Sequence, residues 1–229
     1  MVNVDLNHDE PYTIPANVVA SHSPYLQRLV NAADPRGVTE VVRITPAINW
    51  HGLFGAYVNW LRSGCNQLAY SPAHQLWPMP PVVPLDHLIP LGFELTWRGT
   101  FRDLTSFYLL GVQLQDEKFQ DAVLSTYCME LEAPATRGIQ SVPEPNVVAE
   151  IYKATAPGNK GRALMVTAYA SMASKRVIAC FEHDAGFLQD LAAEMVGRRV
   201  RGPMGPLYPC DYHNHAEGYT CRFRGTQAV

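Results

Sequence analysis

The segment from Asp103 to Tyr127 predicts two helices, each with one apolar face, that are joined by only one or two residues. This feature constrains the fold more than any other. Between the faces, Asp116 is placed to cap the second helix, with Glu117 next to the positive end of its dipole. Two helices joined by one or two residues are expected to pack as a hairpin. The residues that recur at helical spacing are Leu104, Phe107, Leu110, Gly111 and Leu114, then Phe119, Ala122, Val123, Thr126 and Tyr127.

A short strand that leads into an interrupted helix is predicted near the amino terminus. Val2–Val4 and Pro11–Ile14 flank a polar turn, so they predict a brief β-hairpin. The helix that follows restarts at Ser23, which we expect to be the N-cap, with Pro24 at the first helical position. The apolar face of the restarted helix consists of Tyr25, Leu26, Leu29 and Val30.

The middle of the chain adds one strand, one long helix and one insertion. Glu40–Ile44 has the pattern of a strand packed on one side, and Ala47–Arg62 has apolar residues at helical spacing before a Ser-Gly stop. Six prolines between positions 71 and 90 remove all periodicity, which predicts a long surface insertion from 71 to about 98. The predicted buried face of the long helix is Trp50, Leu53, Phe54, Tyr57, Val58 and Leu61.

The last third of the chain is predicted to be helical. A Pro, Gly and Ser-rich stretch marks a boundary, so we divide the chain into residues 1–130, a linker at 131–145 and an extension at 146–229. The predicted fold class is α+β, in which a small sheet covered by helices is followed by an all-helical C-terminal extension. Helices are predicted at 147–154, 160–172 and 184–196, and the apolar side of the last one is Phe187, Leu188, Leu191, Ala192 and Met195.

Composition and charge limit the partners of the chain. Its 229 residues are 47% hydrophobic and carry a formal charge of -3, so they form no general positive field for nucleic acid. The one basic cluster, Arg198, Arg199 and Arg201, falls at the end of a predicted helix, where we expect it to complement the dipole, with a nucleic-acid patch or import signal as the alternative. No run approaches the roughly 18 apolar residues of a membrane span. Five cysteines, an odd number mostly far apart, predict a reducing compartment, the cytoplasm or the nucleus.

Several segments follow an order that is known from one family. Trp60-Leu61-Arg62-Ser63-Gly64 ends the long helix, LLGVQLQDEKFQDAV at 109–123 forms the hairpin, and IYKATAPG at 151–158 and CDYHNH at 210–215 follow. Together they resemble the BTB/POZ domain proteins of filamentous fungi. The resemblance implies a BTB/POZ-like domain at 1–130 that acts as a protein-protein interaction scaffold. It also implies dimerisation through the first helices and the N-terminal strand, near Tyr25, Leu26 and Leu29.

Two departures from the family pattern leave alternatives open. Pro15–Val18 replaces the His-Lys or His-x-x-Leu pattern of a typical member, and CNQLAY at 65–70 lacks the apolar-x-Glu element of members that recruit cullin-type ubiquitin ligases. A ligase adaptor and a transcription-associated regulator therefore remain alternatives to a plain oligomerisation scaffold. The expected partners are proteins, including a second copy of the chain, and not nucleic acid, membrane or a small-molecule substrate.

Catalytic motifs are missing from the sequence. It has no Gly-x-Ser-x-Gly elbow, no Gly-rich phosphate loop and no His-Glu-x-x-His helix, so we expect no enzyme. The alternative is a thiol-dependent enzyme with Cys128 or Cys180 as the nucleophile. A cysteine on an apolar helix is more often part of the packing, which favours the non-catalytic interpretation.

The C-terminal tail contains four residues of the types that bind zinc. Cys210, His213, His215 and Cys221 offer two thiolates and two imidazoles, the number and kind that a tetrahedral zinc site needs. The spacing matches no standard finger. The interpretation that we favour is a metal-free tail in which Tyr212, Tyr219 and Phe223 pack on the domain while the histidines face solvent or bond to the backbone. We therefore predict no cofactor, with zinc as the alternative.

Overall fold

The structure is a computed structural model that describes residues 1–6, 11–37, 39–46, 51–62, 93–136, 142–173, 178, 182–201 and 209–213. The chain divides into two compact units. The first consists of Met1–Ser71 and Ser106–Gln120, and the second of Pro72–Thr105 and Asp121–Val229. Over the described residues there are eight α-helices and one sheet of three short strands, which confirms the α+β class.

The sheet belongs to the first unit and has the strand order β2-β1-β3. Its strands are Val2–Val4 (β1), Tyr12–Ile14 (β2) and Val42–Ile44 (β3). The predicted hairpin is present, because β1 pairs antiparallel with β2, although its turn lies outside the described residues. Strand β3 pairs parallel with β1. Val2, Val4, Val42 and Ile44 are buried while Arg43 is exposed, so one face of the sheet packs on the core.

The predicted interruption at Ser23 separates the first two helices, Ala16–His22 (α1) and Pro24–Ala33 (α2). The Leu26 N–H donates to Ser23 Oγ at 3.1 Å, which confirms Ser23 as the N-cap. The Ser23 hydroxyl in turn donates to the carbonyl oxygen of Leu114 at 2.7 Å. Ser23 is fully buried, so this one side chain both starts α2 and joins two segments of the first unit that are distant in sequence.

The long helix of the first half runs over His51–Arg62 (α3). Phe54, Tyr57, Val58 and Leu61 are buried as predicted, whereas Leu53 is only half-buried and Trp50 lies outside the described residues. Trp60, which the predicted face left out, is also buried. The apolar face of α3 is therefore wider than its helical spacing indicated.

The predicted hairpin consists of Phe93–Leu114 (α4) and Glu117–Thr136 (α5). At its turn, Gln115 adopts a φ of 57°, and the Phe119 N–H donates to Asp116 Oδ1 at 3.0 Å, which confirms the predicted cap. A Cβ on Gly111 would lie 2.9 Å from Gln120 Cγ, so the close approach of the helices here requires glycine.

The ends of α4 and α5 differ from two predicted boundaries. Residues 93–98, placed in the proline-rich insertion, are helical, and the rest of that insertion lies outside the described residues. Residues 131–136, placed in the linker, are also helical. Helix α4 starts early because residues 93–98 contain no proline or glycine, and α5 continues past Pro134 to Thr136, so this proline does not end the helix.

The second unit is helical over its described residues. Its remaining elements are Pro145–Ala154 (α6), Lys160–Met172 (α7), Ala185–Arg201 (α8) and a 3-10 turn at Pro209–Tyr212. Helix α8 packs against α6 and α7. The fully buried ring of Phe187 lies at the centre, 5.7 Å from the Tyr152 ring and 4.9 Å from the Tyr169 ring, measured between centroids. Aromatic edge-to-face contacts therefore hold these three helices together.

Candidate functional site

Helix α8 is capped at its start, and buried side chains and a hydrogen bond near its end hold it in the second unit. Asp184 Oδ1 accepts a hydrogen bond from the Phe187 N–H at 3.1 Å and so caps the start of the helix. Near the end, Arg198 Nε lies 3.1 Å from Glu194 Oε1, and Arg198 Nη2 donates to the Thr167 carbonyl oxygen of α7 at 3.2 Å. Phe187 and Leu191 are buried between these ends. The helix therefore presents a fixed outer side.

That outer side carries an apolar stripe. Leu188, Met195 and Val196 are 41%, 46% and 63% exposed, and Ala192 is exposed between them. The spacing i, i+4, i+7 and i+8 places the four residues on one side of the helix, and we call them the α8 stripe. Three of the six large hydrophobic side chains that are exposed among the described residues belong to it. Single exposed apolar residues are normal, but such a grouping is typical of an interaction surface.

The stripe corrects the predicted apolar side of α8. The sequence placed Leu188, Ala192 and Met195 with Phe187 and Leu191, but only the last two are buried. The apolar arc is broader than α6 and α7 can cover, so its outer half faces solvent. Helical spacing identified the apolar residues of α8, but it does not show how many of them the neighbouring helices cover.

The residues that the resemblance placed at an interface lie on α2. Leu26 is fully buried and contributes to the core of the first unit, so it does not offer a contact surface to a partner. Tyr25 and Leu29 are half-buried. The predicted interaction surface is therefore reduced to these two side chains, and the α8 stripe was not predicted.

The C-terminal tail is described only from 209 to 213, so His215 and Cys221 lie outside the described residues. Cys210 is half-buried, and His213 is buried with its Nε2 atom 2.7 Å from Ser125 Oγ. The Ser125 hydroxyl donates to the Asp121 carbonyl at 2.8 Å, which leaves Oγ as the acceptor for an Nε2–H of His213. In this tautomer only Nδ1 of His213 has the lone pair that a metal needs. The part of the tail that is described contributes to no group of three metal-binding side chains.

Cys128, the candidate nucleophile, is buried on α5. Burial raises the pKa of its thiol far above the ordinary value, and the negative charges of Glu132 and Asp211 raise it further. The thiol is therefore protonated at neutral pH, whereas a nucleophilic cysteine needs a lowered pKa. Cys180 lies outside the described residues.

The first unit contains a buried polar cluster around Asp116, which is fully buried. Its Oδ2 atom accepts a hydrogen bond from the Tyr57 hydroxyl at 2.9 Å and lies 3.5 Å from Nδ1 of His22. Burial raises the pKa of Asp116, although the Phe119 N–H, the Tyr57 hydroxyl and His22 act in the opposite direction. Burial also lowers the pKa of His22, and Asp116 offsets part of that shift. The sequence predicted the cap but neither of these two partners.

Comparison with known proteins adds no relative to this description. No family model, no curated protein and no solved structure matches the chain. Among the described helices, none combines the length and the apolar character that crossing a bilayer requires. The functional interpretation therefore depends on the side chains and surfaces described above.

Proposed function

We propose that this chain is a non-catalytic protein-protein interaction module whose contact surface includes the α8 stripe. The observation that carries this proposal is the grouped exposure of Leu188, Met195 and Val196 on a helix that is capped at its start and bonded to α7 near its end. A partner that covers the stripe removes apolar area from water, at roughly 25 cal/mol per Å². Because the helix is already fixed, little ordering of the backbone opposes that gain.

For the first unit we propose a BTB/POZ-like arrangement. In its support, the order of elements is a β-hairpin, two short helices interrupted at Ser23, a third strand, helix α3 and the turn of the α4–α5 hairpin with its adjoining helix ends. The half-buried Tyr25 and Leu29 on α2 form a second and smaller contact region in this proposal. A ligase adaptor and a transcription-associated regulator differ only in the partner that is held, so the partner's identity distinguishes them.

The test is an affinity purification from an extract of the cells that express the protein. It compares the proteins that bind to the tagged wild-type chain with those that bind to tagged variants. Val196→Glu introduces a charge into the α8 stripe, and Ala163→Glu introduces the same charge at an exposed position on another helix, α7. We expect at least one protein, whether a second copy or another chain, to be retained by the wild type and by Ala163→Glu and depleted about tenfold or more by Val196→Glu.

The same assay separates the two contact regions. Leu29→Glu tests the surface on α2, and its effect is read independently of the other two variants. Retention of one identical set of proteins by the wild type and all three variants would contradict both surfaces and, with them, the proposed function. Circular dichroism and the thermal midpoint of each variant establish that the fold is intact.

A further inference from the structure

We infer that the α8 stripe pairs with the α8 stripe of a second copy of the chain, in an antiparallel arrangement around a two-fold axis. The inference rests on the proposed function, since it names the partner of the surface proposed there. Two properties of α8 support it: the symmetry of its apolar positions and the opposite charges at its two ends.

Three of the four stripe positions are symmetric about Ala192, while Met195 falls opposite Gln189. Leu188 lies four residues before Ala192 and Val196 four residues after it, a separation of about 6 Å along the axis on each side. If the two-fold axis passes at Ala192, Leu188 of one copy lies opposite Val196 of the other, and the reverse contact forms at the same time. The small side chain of Ala192 at the centre allows the helices to approach closely.

The charges at the ends of α8 favour the antiparallel direction. Glu182 and Asp184 are exposed just before the helix, and the last turn is basic, with Arg199 at the position that continues the helical spacing of the stripe. With the axis at Ala192, position 184 of one copy lies opposite position 200 of the other, between two arginines of the sequence. The acidic end of each copy then meets the basic end of its partner. A parallel pair would instead place like charges together, which disfavours it.

The size of the surface sets the expected affinity. Helix α8 has 17 residues and is about 25 Å long, so one pair of such helices covers less area than the roughly 1,200 Å² of a stable interface. We therefore expect a reversible dimer with a dissociation constant in the micromolar range. This affinity leaves both monomer and dimer populated at concentrations that sedimentation can follow.

Sedimentation equilibrium of the purified full chain, from about 1 μM to about 1 mM, tests the pairing. The weight-average mass is expected to rise from 25.4 kDa towards twice that value. Val196→Glu places a charge on both sides of the interface and is expected to raise the dissociation constant at least about tenfold, whereas Ala163→Glu on α7 changes it less than about twofold. Both positions are exposed, so the variants retain the fold, which thermal melting checks.

A charge exchange between copies tests the antiparallel direction. Position 199 continues the helical spacing of the stripe, four residues after Met195. Glu182→Arg and Arg199→Glu each bring like charges together in their own homodimer, so each is expected to weaken association about threefold or more. In an equimolar mixture, the heterodimer regains two attractive pairs: the introduced arginine of one variant with the introduced glutamate of the other, and the unchanged Arg199 of the first with the unchanged Glu182 of the second. Recovery of the wild-type mass in the mixture, and not in either variant alone, is the expected result.

Each other outcome overturns the pairing of two copies. A wild-type chain that stays monomeric throughout, or a dimer that Val196→Glu leaves intact, rules out this interface. A monomer that Val196→Glu destabilises indicates that a segment of the same chain covers the stripe. If the wild type sediments as a monomer, Val196→Glu can still fail to retain, in the affinity purification, a protein that the wild type retains. In that case the partner is a different protein. The inference then fails while the proposed function stands.

Discussion

The two compact units are held together in different ways. In the first, a buried carboxylate at Asp116 and a buried hydroxyl at Ser23 join segments that are 59 and 91 residues apart. In the second, the ring of Phe187 packs between Tyr152 and Tyr169, and the outer side of the same helix is left uncovered. Directional polar bonds specify one arrangement, whereas apolar packing supplies most of the stability and can leave surface for a partner.

The largest effect is expected at the centre of the second unit. Phe187→Ala removes a fully buried ring and should lower the free energy of unfolding by about 3–5 kcal/mol, measured by urea denaturation. Leu188→Ala, at the next position, truncates an exposed side chain of the stripe and should cost about 0.5 kcal/mol or less. Equal losses from the two variants would mean that the stripe is part of the core.

The next effect is expected at the polar centre of the first unit. Asp116→Ala removes the cap of α5 and the acceptor of the Tyr57 hydroxyl, which together should cost about 2–4 kcal/mol. Glu117→Ala, at the exposed neighbouring position, should cost about 0.5 kcal/mol or less. Asp116→Asn keeps an acceptor oxygen and is expected to retain most of the stability. A loss as large as that of the alanine variant would show that the charge is required.

A smaller effect is expected from Ser23→Ala. The variant removes the cap of α2 and leaves the Leu114 carbonyl without this donor, so we expect a loss of about 1–2 kcal/mol. Ser21→Ala is the matched control, because its exposed hydroxyl bonds only to a carbonyl one turn earlier in α1. If the two variants unfolded at the same denaturant concentration, the role of Ser23 in joining the segments would be contradicted.

The smallest effect is a dependence of stability on pH that we expect in the first unit. Burial lowers the pKa of His22 below its ordinary value of 6.5, so the folded state binds this proton less readily than the unfolded state does. The contribution of His22 is therefore present above pH 6.5 and is lost as the pH falls through its folded pKa. Relative to His22→Gln, the wild type should lose stability as the pH is lowered from about 7 to about 5.

A matched background separates His22 from Asp116, whose raised pKa acts with the opposite sign. The contribution of Asp116 is full below 3.8 and is lost as the pH rises through its folded pKa. Comparing Asp116→Asn with and without His22→Gln removes this second titration. If the urea midpoint fell equally with pH in Asp116→Asn and in the double variant Asp116→Asn/His22→Gln, His22 would not titrate as described.

Local signals in the sequence predicted the helix boundaries that depend on neighbouring residues. Ser23 and Asp116 are caps in the structure, and Lys160–Met172 has the predicted bounds. The zinc interpretation of the tail stays untested, because two of its four residues lie outside the described part of the chain. The partner of His213 was not predictable, since Ser125 is 88 residues away and no local pattern links the two.

By itself, the sequence determined the order of the strands and helices and where an apolar arc runs along each helix, but not the outer ends of α4 and α5. These properties depend on capping, periodicity and the backbone preferences of adjacent residues. Only the tertiary structure decided that Trp60 is buried, that Tyr57 and His22 meet Asp116, and that half of the apolar arc of α8 is left exposed. Burial depends on which other elements cover a face, and residues distant in sequence supply that cover.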